Sequence, residues 1–413
     1  MTRSKRNVWE SNSSRDGENI LFVTSRSVDA AFDVPKGTAV LGHNVSHVLT
    51  NLLTQDARES FEKGKRTEMD NLRIGTVWNA STKQSDAKST TWMCNILKDT
   101  PGDGVVVDTE EARHAFHEVA HRATINHRPI LLLVHGYNNT VTSPLQAASI
   151  LREKHDCEVI VFMWPTEGRL LHYDDDLEDT RITARPFLRF LRKASAFLDI
   201  RHRPKITLMC HSMGNYVLQR AVAFTPVADN YGKIDQYLKE GRDVLCSTPS
   251  FLNNIVLTAA DVDSHDHVTW LSQLRPSEKV FICINRGDKL LIMSDMVVGK
   301  LFNSRDPMSR IFVLGKDHPP RLGQTLTDIN SNDGHRVYVD VNVTWKGALD
   351  LGQLLELEHA YHFDGLGEIA AFYKDAIHGT WDAKKPYQET VQNSKGCYYY
   401  SVVGPSSEGS LFS

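Results

Sequence analysis

The chain has 413 residues and a formal net charge of −4, with 47 Lys and Arg against 51 Asp and Glu. That balance argues against nucleic acid or another polyanion as a partner, and against binding to a charged membrane surface. The length allows two or three domains or one elaborated α/β domain. The polar N-terminus has no apolar core of a signal peptide, and no run is long enough for an integral membrane segment, so a cytoplasmic protein is expected.

Residues 1–18 read as a disordered leader. Asn19–Thr24 (NILFVT) and Asn71–Trp78 (NLRIGTVW) read as strands. Thr109–Ala123 is a predicted helix, because Phe116, Val119, Ala120 and Ala123 recur at helical spacing. Pro129–Val134 (PILLLV) is apolar throughout, the pattern of a strand buried on both faces. The alternation then continues. Thr142–Lys154 is a predicted helix, Glu158–Trp164 a strand, Ile182–Leu198 a helix, Lys205–Met209 a strand and Asn215–Thr225 a helix. Asn254–Ala259 and Lys279–Asn285 are further buried strands, with helix Val268–Leu274 between them. A late strand is expected at Arg336–Val341, a final helix at Gly367–Ile377 and a candidate edge strand at Tyr398–Val403. Strands alternating with helices predict an α/β fold, with a mostly parallel central sheet and helices on both faces.

Three stretches break the rhythm. Those at about 226–250 and 303–334 read as insertions into a domain spanning 19–381, and 382–413 reads as a C-terminal tail. The acidic run Asp174-Asp175-Asp176-Leu177-Glu178-Asp179 reads as a solvated loop. The six cysteines are scattered without a CxxC pair, so neither a disulfide framework nor a cysteine zinc site is expected.

Cys210-His211-Ser212-Met213-Gly214 sits between a predicted strand and a predicted helix. A sharp turn there lifts one hydroxyl out of the sheet and turns the next backbone N–H toward a substrate oxygen. Small residues must flank the serine; Gly214 fits, and Cys210 stands where glycine or alanine is usual. A serine hydroxyl is a weak nucleophile at neutral pH and needs a histidine base, an acid to orient it and N–H donors for the oxyanion. In sites built on such a turn the chain order is serine, acid, histidine. Asp288, in Asn285-Arg286-Gly287-Asp288 after a predicted strand, is the first candidate acid; a simple Gly-Asp turn is its structural alternative. Asp261 is the second candidate, and Asp263 a weaker third. Glu358-His359-Ala360-Tyr361-His362-Phe363 precedes the final helix and offers His359 as base, with His362 as alternative. The N–H groups of Met213 and of Tyr137, in His135-Gly136-Tyr137, would form the oxyanion hole. Trp164-Pro165 ends the strand after that, with Trp164 expected to be buried.

The ordered set ILFVTSR, NLRIGTVW, LLLVHGYNNT, VIVFMWPTEG, CHSMGN, IVLTAADVD, INRGDKLLIMS and EHAYHF resembles an uncharacterised, mainly bacterial esterase/lipase-like family of the α/β-hydrolase superfamily. The resemblance spans roughly residues 19–375. It implies an α/β-hydrolase fold with Ser212 as nucleophile, Asp288 as acid and His359 as base. The expected activity is that of a serine hydrolase cleaving a carboxylic ester, small-molecule or lipid, with no cofactor.

A competing motif is His117-Glu118-Val119-Ala120-His121, an H-E-x-x-H within a predicted helix, as in zinc metalloproteases. His127 extends it to the metzincin spacing, but Thr124 replaces the glycine required for the turn that returns a third ligand. Helix packing with a wetted polar face is the expected role. A non-catalytic binding module on a hydrolase scaffold is a third reading, because fold does not fix function.

Overall fold

The computed structural model of the chain describes residues 19–25, 72–79, 92–96, 110–137, 139, 143–166, 173–198, 203–224, 236–265, 267–291, 294, 320–325, 335–341, 359, 367–392 and 397–402. The expected leader, His362 and most of the 303–334 stretch lie outside them.

The strands are β1 (Ile20–Thr24), β2 (Arg73–Asn79), β3 (Trp92–Ile96), β4 (Ile130–Val134), β5 (Glu158–Met163), β6 (Ile206–His211), β7 (Asn254–Thr258), β8 (Lys279–Ile284), β9 (Arg336–Asp340), β10 (Gln388–Gln392) and β11 (Tyr398–Val402). The helices are α1 (Glu110–Ile125), α2 (Ser143–His155), α3 (Tyr173–Leu198), α4 (Gly214–Ala223), α5 (Gln236–Cys246), α6 (His267–Leu271) and α7 (Glu368–His378). The eleven strands among the described residues form one sheet in the order β10-β11-β9-β8-β7-β6-β4-β5-β1-β2-β3. Pairing is parallel from β1 through β5, β4, β6, β7, β8 and β9 to β11, and antiparallel for β1–β2, β2–β3 and β10–β11.

The continuous apolar strands are explained by cover on both faces. Along β4, Ile130, Leu132 and Val134 join the core under α1, α3 and α4, while Leu131 and Leu133 join the core under α2 and α7. Strands β5 and β6 alternate the same way, and Cys210 falls in the first of these cores, fully buried. The thiol there serves as a small hydrophobe. Burial pushes its pKa up, which leaves it inert.

The sequence reading is corrected in three places. The acidic run 174–179 is not a loop but the first turns of α3, with Asp176 and Asp179 buried. The stretch at about 226–250 contains α5, which packs along α3; a Cβ on Gly241 would collide with the Leu188 carbonyl. Residues 382–413, read as a tail, supply β10 and β11 to the sheet. Strand β11 is paired on both sides, and β10 takes the edge.

Candidate active site

Parallel strands present their C-terminal ends to one side of the sheet, where ligands bind in open α/β folds. Strand β6 is the middle strand of the order, flanked by β4 and β7. At its end Ser212 adopts φ 51°, a left-handed conformation that a non-glycine residue takes only when its surroundings enforce it. Several hydrogen bonds do so. The Ser212 N–H donates to Thr258 O at 3.0 Å, and Ser212 O accepts from the N–H groups of Asn215 and Asp261 at 3.0 and 3.3 Å. The buried Asn215 side chain donates to Cys210 O at 3.1 Å, Ser212 O at 2.9 Å and Thr258 O at 3.4 Å. It clamps the turn from within the first turn of α4, a role that the sequence reading did not assign.

Close approach explains the glycines. A Cβ on Gly214 would lie 2.6 Å from His135 O and 2.8 Å from Val134 O, so the elbow touches the end of β4 backbone to backbone. A Cβ on Gly136 would lie 2.7 Å from the Ser212 Cβ. The loop of His135, Gly136 and Tyr137 thus lies directly against the serine. Met213, the residue before α4, stands at the positive end of that helix's dipole.

Trp164 fixes this loop. It is fully buried, as expected, and its Nε1–H donates to His135 O at 2.7 Å. Its backbone N–H donates to His135 Nε2 at 3.2 Å, so His135 carries its proton on Nδ1 and donates to Gly136 O at 2.7 Å. The two rings stack with centroids 5.3 Å apart. Asn139 Nδ2 donates to Gly136 O and Tyr137 O at 2.9 and 3.0 Å. Neither the His135–Trp164 pair nor Asn139 was legible in the sequence: Trp164 reaches His135 from a different strand end, and Asn139 acts on nearby main-chain carbonyls that no side-chain pattern marks.

Asp288 follows β8 and is fully buried. Its Oδ1 accepts from the Leu291 N–H at 3.1 Å, and its Oδ2 lies 2.8 Å from His359 Nδ1. A carboxylate only accepts, so His359 holds its proton on Nδ1 and leaves the Nε2 lone pair open. Burial alone would lower the His359 pKa. The charge of Asp288 and its hydrogen bond outweigh burial, with a smaller contribution from Asp261, and the net shift is upward. The His359 ring packs against His211, the residue before Ser212, with centroids 4.8 Å apart.

Asp261 belongs to a different constellation. Its Oδ2 accepts from Tyr173 Oη at 2.8 Å, and its Oδ1 accepts from Ser294 Oγ and faces Arg321 Nε at 3.2 Å. Arg321, fully buried, also reaches Asp263 Oδ1 at 2.5 Å and Tyr216 Oη at 3.0 Å. Its segment is laced between the ends of β7 and β8: Leu322 N–H donates to Val262 O, Gly323 N–H to Ala260 O, and Asn285 N–H to Gly323 O. Asp261 is therefore tied to a guanidinium rather than to an imidazole. Tyr137 stacks edge-on against Tyr173, and burial together with the charges of Asp261 and Asp176 pushes its phenol pKa up to about 12.

The H-E-x-x-H motif lies elsewhere. His117, Glu118 and His121 are all on the exposed face of α1, and His114 faces Glu118 at 3.6 Å. Among the described residues no three His, Cys, Asp or Glu side chains are grouped to hold a metal ion. No helix among them is long and apolar enough to cross a membrane.

A model of the family described as alpha/beta hydrolase of unknown function (DUF900) matches residues 109–309. The match takes in Ser212 and Asp288 and ends before His359. A solved structure of an iodinated complex of acetyl xylan esterase aligns with 60% of this chain and 99% of its own, at 10% identity and a TM-score of 0.27. No curated protein sequence matches the chain. With a mostly parallel sheet, helices on both faces and this family match over residues 109–309, the chain has the α/β-hydrolase fold.

Proposed function

We propose that the protein is a serine hydrolase that cleaves a carboxylic ester through an acyl-enzyme on Ser212. The observation that carries this reading is the buried His359–Asp288 pair, 2.8 Å apart, packed through His211 against the turn that bears Ser212. An imidazole with its proton held on Nδ1 by a carboxylate has its other nitrogen available as a base.

In the reaction, Ser212 Oγ bonds to the ester carbonyl carbon while its proton passes to His359 Nε2. The carbonyl oxygen gains the negative charge and is held by the N–H groups of Met213 and Tyr137. Asp288 stabilises the imidazolium. Collapse of the adduct breaks the bond to the alkoxy oxygen, which takes the proton from His359 and leaves as the alcohol. Water then attacks the acyl carbon, giving its proton to His359, and the second collapse returns that proton to Ser212 Oγ and releases the acid. No step calls for a cofactor. Of the alternatives identified at the start, Asp261 has less support, being engaged by Arg321, Ser294 and Tyr173, and His362 lies outside the described residues.

A fluorophosphonate probe should label the wild-type protein and leave Ser212→Ala unlabelled. Equal labelling of both would reject Ser212 as nucleophile. If the folded protein hydrolyses no short-chain acyl ester and takes no probe, the non-catalytic scaffold is the better reading.

A further inference from the structure

Between nucleophile and base lies His211, which the chemistry above does not use. It is buried at 8% exposure, and three parts of the site meet on it. It is joined through the main chain to Ser212. Its Nδ1 would be 3.1 Å from a Cβ on Gly136, so it touches the oxyanion loop. Its ring packs on the His359 ring, with centroids 4.8 Å apart and planes inclined at 56°, and its Nε2 lies 3.4 Å from His359 O.

We propose that His211 is a positioning residue, whose Nε2–H holds the His359 main chain while its ring spaces the base from the oxyanion loop; this rests on the serine-hydrolase reading. The carbonyl of His359 can only accept, so Nε2 must carry the proton. His359 is thereby held at two points, its ring by Asp288 and its backbone by His211. Because His211 is next to Ser212 in sequence, the second point ties the base to the nucleophile's own strand. A bond of 3.4 Å is long, and such contacts in sites without substrate commonly shorten as the reaction proceeds. The ring also suits a neighbour that becomes a cation. Burial first, then the neighbouring His359 and His135, hold the His211 pKa well below the ordinary value, so no second positive charge forms beside the imidazolium.

Two substitutions separate the ring from its donor. His211→Phe keeps a planar ring and removes the N–H. His211→Gln removes the ring and keeps an amide N–H at about the reach of Nε2. With a short-chain p-nitrophenyl ester, His211→Phe should lower kcat by roughly 10- to 100-fold with KM little changed, as a slightly misplaced base would. His211→Gln should recover most of the loss, whereas His211→Asn, whose amide reaches only the Nδ1 position, should not. The low-field proton signal of the His359–Asp288 pair should broaden in the Phe variant and persist in the Gln variant. Wild-type kcat in His211→Phe would overturn the proposal, as would a Gln variant no faster than Asn. If His211→Phe fails to fold, the Gln and Asn pair decides alone. If Ser212→Ala hydrolyses the ester as fast as wild type, the hydrolase reading itself fails and takes the positioning role with it.

Discussion

Gly214→Ala tests the elbow most directly, because the added atom is a single methyl group with a defined place to go. Its Cβ would lie 2.6 Å from His135 O, where ordinary contact begins at 3.4 Å, so about 0.8 Å must be found. Val134 O at 2.8 Å and Val134 Cγ1 at 3.2 Å block the alternative directions. Two of these three atoms are backbone, and His135 O is also the acceptor of the Trp164 indole N–H. The strain therefore cannot be relieved by turning a side chain; it must displace the end of β4 or the first turn of α4. Forcing a methyl group into a filled site costs roughly 1–3 kcal/mol. Replacing a helical glycine by alanine returns about 0.5–1 kcal/mol. The difference predicts a loss of up to about 2.5 kcal/mol, measurable by urea denaturation. The displacement falls on the oxyanion loop, so kcat on a p-nitrophenyl ester should fall by up to roughly 100-fold, well beyond the effect on stability. A variant with wild-type stability and wild-type kcat would refute the close approach of the elbow to β4.

Four further outcomes are expected. His359 must be neutral to act as base, and its pKa is raised above the ordinary 6.5, so the acid limb of kcat/KM should lie above pH 6.5; Asp288→Asn should move it down and cut kcat. By the same shift, the pair's contribution to stability is fully present below about pH 6.5 and fades as pH rises through the His359 value, which denaturation at several pH values would show. Arg321→Met leaves two carboxylates without their guanidinium, so a loss of roughly 3–5 kcal/mol is expected in urea denaturation, and an unchanged midpoint would contradict the buried network. His117→Ala with His121→Ala should leave ester hydrolysis unchanged and insensitive to chelators, because both side chains face outward from α1; stoichiometric zinc in the purified protein, with activity lost on chelation, would reverse that.

The central strands were legible because burial on both faces leaves an unmistakable mark: ILLLV and EVIVFM admit little but a covered parallel strand. The edges were not. Strand β10, QETVQ, is mostly exposed and carries no apolar pattern, and its pairing is dictated by β11 alongside it. Helix α3 was read nine residues short at its start because the aspartates of 174–179 look solvated, yet Asp176 and Asp179 are buried. Helix α5 did carry a signal, with Leu238, Gly241, Val244 and Leu245 on one face, but Gly241 disguised it: the glycine is there for close approach to α3, not as a breaker. As candidates, Ser212, Asp288 and His359 could be picked out because each follows the local grammar of strand and turn. Asn215, Trp164 and Arg321 could not, because their partners are main-chain atoms or side chains contributed by segments far away in sequence.

The place of β6 in the sheet has a consequence for how the molecule breathes. It is the sixth of the eleven strands among the described residues, with five on either side. Amide protons of Thr207–Cys210 should then exchange with solvent only through global opening, while those of β3 and β10 exchange through local fraying. The left-handed backbone at Ser212 is thus anchored in what should be the slowest-exchanging part of the fold, and its geometry is insulated from changes at the margins, where insertions and sequence variation can accumulate without disturbing that turn.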